Sequence, residues 1–122
     1  MPSDLSPEQL QRLRDSDDGR PFVLAQLLKF APGGRDQYIT YSREAQSILR
    51  NSGASVVYAG ECQDLLGTPE TLAWDVILLI RYPSRAAYVD MVSSPAFREI
   101  AERRRKSLRD AVFLVMDDWA AR

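Results

Sequence analysis

The sequence predicts an α+β domain in which helices back a four-stranded antiparallel sheet in the order βαββαβ, with one further short helix in front. Three features predict it. Strand-like apolar runs and helix-like apolar periods alternate along the chain, the links between them are short, and two of the strand runs are apolar on both alternating faces. The 122 residues match one ordinary core and are too few for two independent ones.

Ser6-Pro7-Glu8-Gln9 opens the first helix, with Ser6 as N-cap, Pro7 at the first helical position and Gln9 able to reach back in a capping box. Leu10 and Leu13 give it one apolar side, and the polar cluster from Asp15 to Gly19 ends it. Pro21 then leads into a strand over Phe22–Phe30. Ala31-Pro32-Gly33-Gly34 breaks that strand. Tyr38, Tyr41, Ala45, Ile48 and Leu49 follow at helical spacing, with Gly53 placed as the stop. Ala54–Ala59 is a short β-branched strand ending near Gly60, and residues 63–71, with Gly67 and Pro69, read as a loop. Trp74–Tyr82 is the clearest strand. Pro83-Ser84 opens a helix and Ser94-Pro95 repeats the cap-plus-proline signal, so two helices are expected in series before a last strand over Ala111–Met116. Residues 1–19 are thus expected to form an N-terminal helical extension, and residues 20–122 a single ferredoxin-like domain without internal repeat or linker.

In Phe22–Phe30 and Val76–Ile80 both alternating faces are apolar, as in strands covered on both sides. The long helices cover one face. The N-terminal helix is too small to cover the other, so a second copy of the chain is its simplest cover and a homodimer is expected.

With 45% hydrophobic and 27% charged residues, the composition is that of a folded globular chain. Sixteen basic against 17 acidic residues leave a net charge of −1, which argues against a nucleic-acid partner. Met1–Leu5 carries no basic-then-apolar leader, and no apolar run approaches the roughly 20 residues needed to span a bilayer, so a cytoplasmic protein without membrane association is expected. Cys62 is the only cysteine, which excludes an intrachain disulfide and a Cys-rich zinc site; a buried or idle thiol is the expectation. The absence of histidine excludes Ser-His-Asp and Cys-His nucleophiles, His-based zinc and a proximal-His haem. No metal and no cofactor are expected.

What chemistry remains rests on Asp, Glu, Tyr, Lys, Arg and Cys. Gln26 interrupts an apolar strand, so its amide must find partners, in the protein or in a ligand. Arg104 falls inside an apolar stripe of Phe97, Ile100, Ala101, Leu108 and Ala111, and a guanidinium there needs a carboxylate. That carboxylate is either Asp75 or Glu61 of the same fold, or belongs to an acidic ligand. Arg103, Arg105 and Lys106 spread over the outward side of the helix as a solvated face. Tyr38 and Tyr41, one turn apart, fit a core stripe or a pair of hydroxyls at a cavity. Trp74 and Asp75 open the central strand, where the indole reads as core and Asp75 as a turn cap, an arginine partner or a desolvated base. Arg81 and Arg85 bracket a Tyr-Pro-Ser turn whose Ser84 reads as a helix cap, and Lys29 near a strand end reads as snorkelling to water.

Gln26-Leu-Leu-Lys-Phe30, Tyr38-Ile-Thr-Tyr41, Trp74-Asp75 and Arg81-Tyr-Pro-Ser-Arg85, together with Met91, Ser94 and Leu108, resemble the family called domain of unknown function 1330 (DUF1330) over residues 20–117. Gln26 stands where that family often has Asn. The resemblance implies a dimeric α/β barrel in which two ferredoxin-like sheets face each other. Proteins sharing that barrel include cofactor-independent monooxygenases, lactone isomerases and haem enzymes, a range from which fold alone selects nothing. Two functions are therefore carried forward. One is a cofactor-independent enzyme of isomerase, cyclase or monooxygenase type acting on a small apolar acid or phenol in an inter-sheet cavity, with Asp75 and Tyr41 as catalytic candidates and Gln26, Arg104, Tyr38, Trp74 and Arg81 as binding candidates. The other is a non-catalytic small-molecule-binding or accessory dimer.

Overall fold

Serine caps set most of the helix starts. The computed structural model describes residues 4–67, 69–70, 73–117 and 119. Helix α1 (Pro7–Asp15) begins in a complete capping box: the Gln9 amide donates to Ser6 Oγ at 3.2 Å and the Ser6 amide to Gln9 Oε1 at 2.8 Å. Ser84 accepts from the Ala87 amide at 3.0 Å to start α3 (Arg85–Val92), and Ser94 from the Phe97 amide at 3.2 Å to start α4 (Pro95–Ser107). Helix α2 (Gly34–Asn51) has no side-chain cap and begins after Gly33, which sits at φ 70°.

Strands β1 (Phe22–Phe30), β2 (Ser55–Glu61), β3 (Val76–Tyr82) and β4 (Leu108–Met116) form one sheet in the order β2-β3-β1-β4, with every neighbouring pair antiparallel. This is the ferredoxin-like arrangement, and it puts the two strands that are apolar on both faces, β1 and β3, in the middle. Phe22, Leu24 and Leu28 of β1, Ile80 and Tyr82 of β3 and Ala111 of β4 pack against the helices. Leu24 and Leu28 are fully buried, and each such leucine contributes about 1.5–3 kcal/mol by leaving water. The register sends Val23, Ala25 and Leu27, Ile77 and Leu79, and Val112 and Leu114 to the opposite face.

Helices α2 and α4 lie against each other, closely enough at one end that a Cβ on Gly34 would collide with the carbonyl oxygen of Ser107. The same carbonyl accepts the Ala31 amide at 2.9 Å, which locks the β1–α2 turn to the end of α4. Helix α1 adds Leu13 to the core and is tied to α3: Arg14 meets Asp90 at 2.7 Å, the Arg85 amide donates to Asp17 Oδ1 at 3.1 Å, and Arg85 Nη1 to Ser16 Oγ at 2.9 Å.

Boundaries differ from those expected in three of the four strands. Strand β2 runs on to Glu61, and β3 begins at Val76, two residues after Trp74. Strand β4 begins at Leu108, directly after the helix, where Leu108 turns extended (φ −114°, ψ 136°) and pairs with Phe30 across a bulge. Leu108 and Ala111 therefore belong to the sheet and not to the apolar stripe of α4. Residues 68 and 71 of the expected loop over 63–71 lie outside the described residues; the rest of it holds no strand or α-helix. Among the described residues no helix is long and apolar enough to cross a membrane.

Candidate ligand site

Strand alternation turns Gln26 toward the helices, opposite Leu78 on one side and Phe113 on the other. The helical period of α4 brings Arg104 over it. Arg104 Nη2 donates to Gln26 Oε1 at 3.0 Å, Nη1 donates to Asp4 Oδ1 at 2.8 Å, and the guanidinium lies 5.5 Å from the Phe113 ring centre. The burial of this pair is unequal: the Arg104 side chain is 6% exposed and that of Asp4 41%. The other Asp4 oxygen accepts from Arg105 Nη1 at 3.2 Å, so one carboxylate bridges two arginines.

Around this pair lies a cavity of about 560 Å³ between the sheet and its helices. Its walls are mostly apolar, with Leu78, Ile80, Met91, Phe97 and Phe113 among them, and Tyr38, Tyr41, Tyr82 and Tyr88 also line it. All four tyrosines are more than nine-tenths buried. Ring contacts fix them: Tyr38 to Tyr41 at 5.4 Å, Tyr41 edge-on to Phe97 at 6.4 Å and Tyr82 edge-on to Tyr88 at 5.0 Å. Among the described residues, none of the four hydroxyls has a hydrogen-bond partner. Burial pushes all four phenols above their usual 10.0, Tyr88 to about 12, even though the Arg104 charge pulls each of them down. At ordinary pH they are neutral hydrogen-bond donors. At the cavity wall Glu61 accepts from Arg35 Nε at 2.7 Å and Nη2 at 2.9 Å, and this pairing lowers its carboxyl below the usual value.

Four of the seven residues singled out from sequence meet here: Gln26, Tyr38, Tyr41 and Arg104 line one cavity. They do so on the helix side of the sheet, whereas the sequence reading set the site between two facing sheets. Trp74, Asp75 and Arg81 do not line it. Asp75 Oδ2 accepts the Phe30 amide at 2.8 Å, its own amide donates to Leu28 O at 2.8 Å, and its carbonyl accepts the Cys62 amide at 2.8 Å. Asp75 thus joins the ends of β1, β2 and β3. Trp74 lies under Lys29, whose Nζ is 5.1 Å from the ring centre, and Arg81 is paired across the sheet with Val23 and Ser55, on the face away from the helices.

Arg104 does have a carboxylate partner, but it is Asp4, with Glu61 held by Arg35 and Asp75 by the strand ends. Cys62 is free and exposed, which excludes the buried alternative of the two expected for it. Arg103 and Arg105 are exposed and paired, to Glu44 at 2.8 Å and to Glu102 at 2.8 Å. Tyr82, Tyr88 and Asp4 escaped the sequence reading. Tyr82 carried a usable signal, since it continues the alternation of Leu78 and Ile80. Asp4 carried none, because its partner is 100 positions away.

The model of a family described as domain of unknown function (DUF1330) matches residues 26–117. Among solved structures, the chain is similar to a protein of unknown function from Rhodopseudomonas palustris, at 24% identity and TM-score 0.86, covering 97% of this chain and 98% of that one. It is also similar to a putative antibiotic biosynthesis monooxygenase from Bacteroides thetaiotaomicron VPI-5482 (18% identity, TM-score 0.56, 81% and 88% covered). A third likeness is to a dimeric protein of unknown function and ferredoxin-like fold from Bacteroides fragilis NCTC 9343 (7% identity, TM-score 0.53, 80% and 96% covered). At these identities the likenesses establish the fold alone. Comparison with curated proteins gives no match.

Proposed function

The chain belongs to the DUF1330 family, and from that premise we propose that this member binds a small apolar acid or phenol in the cavity between its sheet and helices, with Gln26 and Arg104 orienting the oxygen of the ligand. The observation that carries this reading is the set of four phenol hydroxyls without hydrogen-bond partners among the described residues, on buried tyrosines that line one cavity around one guanidinium. These hydroxyls are open to water, and an oxygen-bearing ligand that takes its place gains about 0.5–1.5 kcal/mol for each hydrogen bond it accepts from them. The cavity volume of about 560 Å³ is within the range of small-molecule sites.

As an enzyme, the protein would act as a cofactor-independent isomerase, cyclase or monooxygenase. Such steps place negative charge on an enolate or phenolate oxygen, and preorganised donors stabilise that charge. Tyr41 then serves as a neutral donor to the oxyanion. A second reading, a binding or accessory protein without turnover, is favoured by the ionisation of the site. Its phenols keep their protons, and Asp75, the carboxylate expected as base, is engaged with the Phe30 amide. Both readings include a homodimer in which a second copy covers the apolar sheet face opposite the helices. The likeness to a dimeric ferredoxin-like protein supports that assembly.

Calorimetric titration with 4-methylbenzoate and 4-ethylphenol tests the site. Tyr41→Phe keeps the ring and removes the hydroxyl, and should weaken binding of at least one probe about 3- to 10-fold, the worth of one hydrogen bond. Unchanged affinity for both probes in Tyr41→Phe and in Tyr38→Phe would remove the phenols from the site.

A further inference from the structure

We propose that Asp4 is a built-in stand-in for a ligand carboxylate: the segment ahead of α1 closes the Arg104 end of the cavity, and a monoanionic acid enters by exchanging its carboxylate for that of Asp4. This rests on the ligand site proposed above and specifies its ligand class and its regulation.

The ion pair is built asymmetrically. The Arg104 side chain is 6% exposed, whereas that of Asp4 is 41% exposed. A buried guanidinium must be matched by a negative charge; a half-exposed carboxylate can be solvated instead. The charge on Arg104 is therefore permanent and the identity of its counterion is not.

The guanidinium also stays in place without Asp4. Nη2 is held by Gln26 Oε1 at 3.0 Å and the flat cation rests over Phe113, and the Nη1 edge, now on Asp4 at 2.8 Å, is where a carboxylate exchanges. When it leaves Arg104, Asp4 keeps Arg105, whose Nη1 is 3.2 Å from its second oxygen. Arg105 in turn keeps Glu102 at 2.8 Å throughout. No charge is stranded on either side of the exchange.

The segment is part of the cavity wall. Asp4, Leu5 and Leu10 all line it, and the charge of Asp4 is felt by Tyr41 and Tyr88 inside. A neutral phenol brings no negative charge to replace that of Asp4, so it does not make the exchange. The site accordingly discriminates by charge, and its apparent affinity for an acid is lowered by the fraction of time Asp4 occupies Arg104.

The test uses the full-length chain, 4-methylbenzoate and its neutral counterpart 4-ethylphenol. In Asp4→Asn the internal competitor is gone, and the benzoate should bind about tenfold more tightly while the phenol changes less than about twofold. If Asp4→Asn does not fold, amide hydrogen exchange on the unaltered protein carries the same test: saturating 4-methylbenzoate should speed exchange over residues 5–10, and 4-ethylphenol should not. Equal or weaker benzoate binding in Asp4→Asn, or slower exchange of that segment with benzoate bound, overturns the exchange and leaves Asp4 a structural counterion of an intact ligand site. Failure of both probes to bind the unaltered protein overturns the ligand site itself, and the exchange with it.

Discussion

Neutral tyrosines give the cavity its chemical character. A phenol that ionised easily would repel an incoming carboxylate or enolate, whereas Tyr38, Tyr41, Tyr82 and Tyr88 hold their protons because burial penalises the phenolate more than Arg104 stabilises it. The same burial makes the fold sensitive to base. In the unfolded chain these phenols ionise near the ordinary 10.0, while in the folded chain Tyr88 keeps its proton up to about 12. Between those values the unfolded chain binds fewer protons, so stability is intact below pH 10 and falls as pH rises from there. Urea titrations between about pH 8 and 11.5, in a Tyr58→Phe background so that only the buried phenols report, should show a declining midpoint. Phenolate absorbance should then rise with unfolding, and phenolate appearing in a still-folded chain would contradict the burial argument. Two of the polar residues that matter were legible as interruptions: Gln26 breaks a strand pattern and Arg104 a helix pattern, and they meet at 3.0 Å. The counterion was not legible, since sequence distance hides a pairing between Asp4 and Arg104.

Element boundaries were legible where a side chain closes them. The Ser6, Ser84 and Ser94 caps all lie where Ser-Pro or Pro-Ser signals put them, because a serine oxygen accepting an amide two or three residues on is a local event. The start of β4 depends on something distant. Spacings of three and four through Arg104, Leu108 and Ala111 continue a helix equally well, and only pairing with Phe30 turns Leu108 into a strand. Asp75 is a similar case, since its carboxylate replaces a ladder partner for the Phe30 amide and so lies outside β3. Packing between elements yields one sharp prediction. Gly34 begins α2 where a Cβ would strike the Ser107 carbonyl, backbone that cannot swing aside. Gly34→Ala should cost about 1–3 kcal/mol, the usual range for overpacking, even though alanine favours helices. Chemical denaturation measures it, and a neutral or stabilising result would mean that α2 and α4 can separate without loss.

At the scale of the whole molecule, the sheet divides two surfaces with separate tasks. The face toward α2, α3 and α4 holds the cavity. The opposite face carries Ile77 at 37% exposure, Leu114 at 45% and Tyr58 at 61%, around Leu27, Leu79 and Val112. Central strands apolar on both sides leave such a face costly in water, and a second copy of the chain would cover it with an identical apolar surface. Analytical ultracentrifugation should therefore find two chains per particle. Ile77→Asp sets a charge in the middle of that face, where it can be solvated only if the copies part, and should yield single chains. Ile77 does not line the cavity, so Ile77→Asp should bind 4-methylbenzoate as the unaltered protein does. A single-chain particle for the unaltered protein would refute the reading of two-sided burial. Loss of probe binding on dissociation would mean instead that the sheet transmits the state of one face to the other, and that the cavity is complete only in the assembled pair.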